Sequence, residues 1–223
     1  MRRRTSPSTP RVAPVELPDL VDADPADLDA GVLLDGVALR GLDLPPVNLA
    51  GAELVEVLVS RLTADDVDLT GARLREVAVE DARVNAWRMG RAHVQDARFS
   101  GRFGVLDAQG GTWRSLILAG CKVDLLSLRG ADVTDVLLRD CQVGELDLSG
   151  ARVTRVRLEA SHVGTVEAHE LRSEHLDLRG ATIDRFVSLA GLRGALVTAD
   201  QVTWWATALA EALGLRVVEE QAR

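Results

Sequence analysis

The chain has 223 residues, of which 47% are hydrophobic and 3% aromatic, and a formal net charge of −8. That apolar fraction excludes a wholly disordered chain, no apolar run approaches the ~18 residues of a membrane-spanning helix, and two cysteines cannot make a disulfide scaffold. The acidic balance and the absence of tyrosine tell against direct nucleic-acid binding by charge or by base stacking.

Residues 1–18 carry four arginines, four prolines and no hydrophobic period, and read as a disordered basic tail. The basic start, Met1 to Arg4, leads into prolines and polar residues rather than the apolar stretch of a secretory signal, so a cytoplasmic location is expected. Ser6-Pro7 and Thr9-Pro10 have the form of phosphorylation steps; the alternative is an inert leader. Between 17 and 60 lie nine acids and one base, Arg40. Asp19, Asp22, Asp24, Asp27 and Asp29 concentrate that charge at the entrance to the next region. They read either as a polar cap against end-to-end stacking or as a docking site for a basic partner.

From Leu34 the chain repeats in fives. Every fifth residue from Leu34 to Phe99, and again from Phe103 to Ile183, is apolar except Ser173. A second column lies two residues earlier in each block, broken only by Gly101, Gly111 and Ser161. A period of five fits neither a helix nor a long strand. Two inward residues two apart fit a short extended side, with the rest of the block outward or turning a corner. Within the earlier column, small residues (Cys121, Ala131, Cys141, Ala151) alternate with large ones (Leu116, Leu126, Val136, Leu146), so four blocks make one turn. Stacked at ~4.8 Å, about eight coils make a rod on the order of 37 Å long. Gly51, Gly71, Gly130 and Gly150 recur at one corner, where a tight turn needs positive φ.

This pattern resembles the pentapeptide repeat family, whose blocks read A-[DN]-L-x-x, over about residues 32 to 197. The resemblance implies an all-β solenoid, a right-handed quadrilateral β-helix. The chain departs from the family in its central residue, which is Leu or Val where the family often has Phe. The expected organisation is a tail at 1–18, a β-helix with an acidic entrance at 19–198, a capping α-helix at 199–214, and a short tail or edge strand at 215–223.

The frame loses one residue between Phe99 and Phe103, so Ser100 to Arg102 should span one side with a residue missing while the coil continues. Trp87 and Trp113 flank this slip, and Gly101, Gly104, Gly110 and Gly111 are expected to offset their volume. The alternative is a kink that re-aims a binding face. Cys121 and Cys141 should stack inward as buried free thiols. His169 and His175 are six apart with Glu167, Glu170 and Glu174 around them, a spacing that matches no helical zinc motif. No metal and no cofactor is expected.

At the C-terminus Thr198 and Gln201 fit a capping box, and helix formers run to Leu213 before Gly214. Val202, Trp205, Ala206, Leu209 and Leu213 share the face expected to close the open end of the coil. Trp204 falls on the opposite face. It reads as the anchor of a homodimer through the C-terminal helix, or as a ring folded under Leu215 to Val218.

A rod packed solid with Leu and Val has no pocket in which to desolvate or orient a reactant, so an enzyme is not expected. The sequence reads as a non-enzymatic interaction module or rigid scaffold with an unknown protein partner. The family resemblance supplies an alternative, a protector of DNA gyrase that mimics duplex DNA. Asp68, Asp107, Asp147 and Glu167 form the nearest approach to an acidic stripe, interrupted by Arg88 and Ser127.

Overall fold

A five-residue block with two inward apolar side chains buries both only if the chain turns by roughly a right angle after each block. The computed structural model, which describes residues 9–218, shows that coil. Each side pairs in parallel with the side one coil away: Leu54 beside Leu74, Leu74 beside Val94, Val123 beside Val143, and Val143 beside Val163. The result is a β-solenoid of about eight coils.

The corners explain the turning. Three of the four corner columns hold a residue at positive φ in every coil. One runs through Gly51, Gly71, Gly130 and Gly150, another through Glu56, Glu76, Ser115 and Asp135, the third through Arg61, Asp81, Gly120 and Asp140. The fourth, through Asp66, Ala86, Leu125 and Glu145, turns without it. At the glycine corner Ala72 N donates to Leu69 O at 3.0 Å, closing a turn whose third residue, Gly71, has φ +70°. That is the position where a type II turn requires a left-handed residue. The corner amide then donates to the next coil, as Gly71 N does to Gly90 O at 2.8 Å.

The inward columns fill the rod completely. Ala52, Ala72, Ala92, Ala131 and Ala151 line one side, and Cys121, Cys141, Ser161 and Ala181 the opposite one; all are buried. Val57, Val77, Leu116 and Val136 face Val67, Trp87, Leu106 and Leu126 across the other axis. Small residues on one pair of sides and large ones on the other keep the layers interdigitated.

The slip takes the form expected. Val79 pairs with Phe99 and Ala82 with Gly101, so Ser100 alone fills a corner that holds Glu80 and Asp81 one coil earlier. Leu118 still lies beside Phe99, so the four-sided coil continues. Two features patch the missing residue. The Ser100 hydroxyl accepts from Asp81 N at 3.2 Å, standing in for a corner carbonyl. Gly101 lies at φ +136°, where a Cβ would sit 2.3 Å from Ala82 O. Trp87, Phe99, Phe103 and Trp113 gather at this level, with Phe99 stacked on Trp113 and edge-on to Trp87. The indole N–H groups of Trp87 and Trp113 find no acceptor. Volume, not hydrogen bonding, therefore places these rings, against a cost of about 1 to 3 kcal/mol for each orphaned donor.

The N-terminal segment corrects the expectation of a disordered tail for residues 9–18. The arginines at 2 to 4 and the Ser6-Pro7 step lie outside the described residues. Within them, Arg11 N donates to Asp135 Oδ1 at 2.8 Å and Ala13 N to the Ser115 hydroxyl at 3.0 Å. Val21–Asp22 then pairs with Val37 and Ala38 at the first coil. The strap thus runs along one corner from the coil of Asp135 down to that of Gly36, about 24 Å at five coil spacings. Pro10, Val12, Val15, Leu17 and Leu20 are half-buried. Beside this corner the outward column carries Leu58, Ala78, Ile117 and Leu137, and Leu137 is only 8% exposed although its neighbours Val136 and Leu138 point inward. An outward apolar column needs a cover, and the strap lies across these coils.

The C-terminal end matches the capping box but not the whole predicted face. α1 (Ala199–Trp204) and α2 (Ala206–Ala212) meet at Trp205. Gln201, not Val202, is the buried residue of α1, and its Nε2 donates to Leu178 O at 2.7 Å and Ala181 O at 2.8 Å. Trp205 is buried, donates from Nε1 to Ile183 O at 3.1 Å and meets Phe186 edge to face. Leu209 is half-buried against the core. Val202, Ala206 and Leu213 are exposed: α1 turns Gln201 and Trp205 inward, which leaves Val202 and Ala206 outward, and Leu213 lies past the end of α2. Residues 215–218 form no strand, so of the two expectations for this stretch the edge strand is absent from the described residues and the short tail is left.

Candidate functional site

The acidic stripe exists in the register predicted. Asp68 lies beside Arg88, Arg88 beside Asp107, Ser127 between Asp107 and Asp147, and Glu167 beside Asp147. Its carboxylates are committed to the fold. Asp68 Oδ1 accepts from Thr70 N at 2.8 Å, Asp107 Oδ1 from Gln109 N at 3.0 Å, and Asp147 Oδ1 from Ser149 N at 2.8 Å. Each closes an Asx turn before a glycine-corner turn. Asn48 does the same for Ala50 N at the first coil, so the role needs an oxygen and not a charge. Arg129 further binds Asp147 Oδ2 at 3.0 Å and lies 3.9 Å from Glu167. The Thr70 hydroxyl and amide hold the Asp68 carboxyl below the ordinary range. For Asp147, burial pushes upward, but the Ser149 hydroxyl and amide and the Arg129 guanidinium outweigh it and the net shift is downward.

The acidic entrance is also partly engaged. Asp22 pairs with Arg40. Asp24 caps the short turn Pro25–Asp27 by accepting from Ala26 N at 2.9 Å, and Asp29 accepts from Ala30 N at 2.7 Å. Asp19 and Asp27 are exposed. The stripe and the entrance therefore lie in separate places, one along a side of the rod and the other at its first coil.

Trp204, like Asp27, has no structural task among the described contacts, and it alone of the candidates is apolar. It is 71% exposed, and the segment Leu215 to Val218 does not cover it. Leu213, Leu215, Val217 and Val218 are exposed at the same end. Exposed apolar side chains at one end of the chain, a tryptophan among them, are surface of the interface type.

The remaining chemistry is dispersed. His162 Nε2 lies 2.9 Å from Asp184, His169 3.7 Å from Glu170 and His175 3.6 Å from Glu174. Among the described residues no group of three or more metal-ligating side chains converges. Cys121 and Cys141 are buried free thiols, and the Cys141 contact and burial push the Cys121 thiol far above its ordinary range. Among the described residues no helix is long and apolar enough to cross a membrane.

Two features lie outside the sequence expectations. Gln201, expected as a capping partner, also donates its amide to carbonyls of the last coil. Arg83, Arg102 and Lys122 recur at the coil spacing once the slip is counted, which was a legible signal.

No family model matches the chain, and no curated protein matches it. Among solved structures it is similar to the plasmid-mediated fluoroquinolone resistance protein QnrB1 in two trypsin-treated variant forms. One is 17% identical, covering 85% of this chain and 99% of that one, with a TM-score of 0.40. The other is 16% identical over the same shares, with a TM-score of 0.37. It is also similar to HetL, a pentapeptide repeat protein involved in heterocyst differentiation regulation from the cyanobacterium Nostoc sp. strain PCC 7120. That likeness is 15% identical, covering 73% of this chain and 90% of that one, with a TM-score of 0.28.

Proposed function

We propose that the chain is a pentapeptide repeat protein acting as a non-enzymatic, rigid interaction module that self-associates through its C-terminal end. The observation that carries the reading is Trp204, 71% exposed on the first of the helices that close the rod, with Leu213, Leu215 and Val218 exposed in the segment that follows them. A solid core and flat outer sides support the non-enzymatic part, since reactive side chains there are neither desolvated nor oriented. Two buried thiols suit a reducing compartment, in line with a cytoplasmic location.

A DNA-mimicking, gyrase-protecting role is not favoured. Asp68, Asp107 and Asp147 spend an oxygen on their own corners, and Arg88 and Arg129 interrupt the negative field. Sedimentation equilibrium over a range of concentrations tests the proposal. The expected result is a dimer that Trp204→Ser converts to a monomer with an unchanged melting temperature. A monomer at every concentration overturns self-association. Rescue of gyrase supercoiling from a quinolone at stoichiometric protein would overturn the preference against DNA mimicry.

A further inference from the structure

Several outward arginines are answered by an acid one coil away. Arg152 meets Asp132, Arg155 meets Asp135, and Arg98 meets Glu80. Like charges facing each other on neighbouring strands are destabilising, so this pairing is what a purely structural surface should show. Other outward arginines, among them Arg73, Arg75 and Arg114, also have no acid within ion-pair distance among the described residues, but one column stacks three cations in a row. Arg83, Arg102 and Lys122 occupy the same outward position in three consecutive coils. Among the described residues none of them lies within ion-pair distance of a carboxylate, and neither does Arg61 at the adjoining corner.

The same place is where the coil loses a residue. Ser100 alone makes the corner between Phe99 and Gly101, and the set-back surface forms a depression lined by Arg61, Arg83, Arg102 and Lys122. Asp81 and Asp140 line it too, so four cations face two acids and the lining remains positive in a chain whose net charge is −8. Gly101 and Gly120, which carry no side chain, line it beside the cations.

We infer that this corner depression binds a short acidic peptide segment of a partner protein, through carboxylates held by Arg83, Arg102 and Lys122. The inference rests on the reading of the chain as an interaction module and names the chemistry of one partner, at a surface separate from Trp204. In an extended peptide, carboxylates two residues apart are about 6.7 Å apart. Cations rooted ~4.8 Å apart on long side chains span that distance. A short ligand feels mainly charges within a Debye length of ~10 Å. Asp65 and Asp124 flank the same cations, and a long polyanion laid along this side would pass Asp43 and Asp184 as well, which add to the repulsion. Charge complementarity therefore selects a short acidic segment over a nucleic-acid strand.

The test is fluorescence anisotropy with the full chain and a labelled peptide of alternating Asp and Ser, with the Asn version as control. The expected result is binding of the Asp peptide, lost on raising salt and absent for the Asn peptide. Arg83→Gln with Lys122→Gln should weaken it about tenfold, the size of two exposed charge contacts. The double variant should melt at the same temperature or higher, because it relieves stacked like charges. A lower melting temperature would make the cations structural and overturn the inference. So would equal binding by variant and wild type, or no binding at low salt. Displacement by duplex DNA as effective as by unlabelled peptide would overturn the choice of an acidic peptide. Arg102-dependent self-association would assign the depression to the acidic entrance of a second copy instead, also overturning it. Loss of the Trp204 dimer alone would leave this binding intact, so the two readings fail separately.

Discussion

Replacing Trp205 with alanine removes the largest link between the C-terminal helices and the last coil. The ring is 9% exposed, packs edge to face on Phe186 at 4.7 Å, and bonds Ile183 O. Truncating a buried aromatic costs about 3 to 5 kcal/mol. What remains is Leu209 and the two bonds from Gln201, worth about 1 to 3 kcal/mol together. α1 has six residues and α2 seven, too short to be helical without docking. Ordering them costs about 1 to 2 kcal/mol per residue in backbone entropy, so the helix pair should undock as a unit. Each coil touches only its neighbours, and the loss should therefore stay local. Circular dichroism should lose its helical component while the β-signal persists. Hydrogen exchange should quicken at Thr182–Val187 and at Leu196. Trp205→Phe, which deletes the Nε1 bond, should cost only about 1 kcal/mol from that bond. Retained helicity with unchanged exchange in Trp205→Ala would refute the reasoning. So would a silent Trp205→Ala beside an unfolded Trp204→Ala, since the two rings would then have exchanged roles.

Asp147→Ala should destabilise by about 0.5 to 1.5 kcal/mol through the lost turn bond, while Asp68→Asn should be nearly neutral in urea denaturation because Asn48 already fills the same role. Gly101→Ala should cost at least about 1 to 3 kcal/mol from backbone strain alone, with the clash at Ala82 O added, and should lower the thermal midpoint sharply. The carboxyls of Asp68, Asp135, Asp147 and Asp177 are held below their ordinary range, so the stability they contribute is present above the unfolded value of about 3.9 and is lost as pH falls below it; melting should be flat from neutral pH down to that point and then decline. Leu17→Asp should loosen the strap by about 1 kcal/mol, half the burial of a leucine, and limited proteolysis between 9 and 18 should accelerate.

The repeat was legible because every coil poses the same packing problem. Leu54, Leu74 and Val94 occupy one inward position each, and their spacing states the geometry. Even the slip could be placed, since a missing residue shifts all later frames at once. The ends were harder. Trp205 and the Thr198–Gln201 box followed helical rules, but Leu213 did not, because it lies past the end of α2. The strap was hidden for a different reason. Val12, Val15 and Leu17 alternate only loosely among prolines, and their partner surface is an outward column some hundred residues away. Leu58, Ile117 and Leu137 carried the missing signal: apolar residues at outward positions of a frame that otherwise puts polar ones there.

The candidate acids show why position on a solenoid must be weighed against task. A carboxylate at the A-[DN]-L position looks like surface charge, yet in Asp68, Asp107 and Asp147 one oxygen closes a backbone turn. Such charge repeats because the fold repeats, and its stripe is a by-product of corner chemistry. Function is better sought where the repeat is broken, because a broken repeat is not explained by the packing that repeats. Here that means three places: the strap over an apolar corner, the bare tryptophan on the closing helix, and the cations gathered where one residue is missing. The first covers apolar side chains of the rod. The other two expose groups that the fold would be more stable without, an apolar ring in water and like charges in register. A surface that costs stability without serving the core is where a partner would recover the cost.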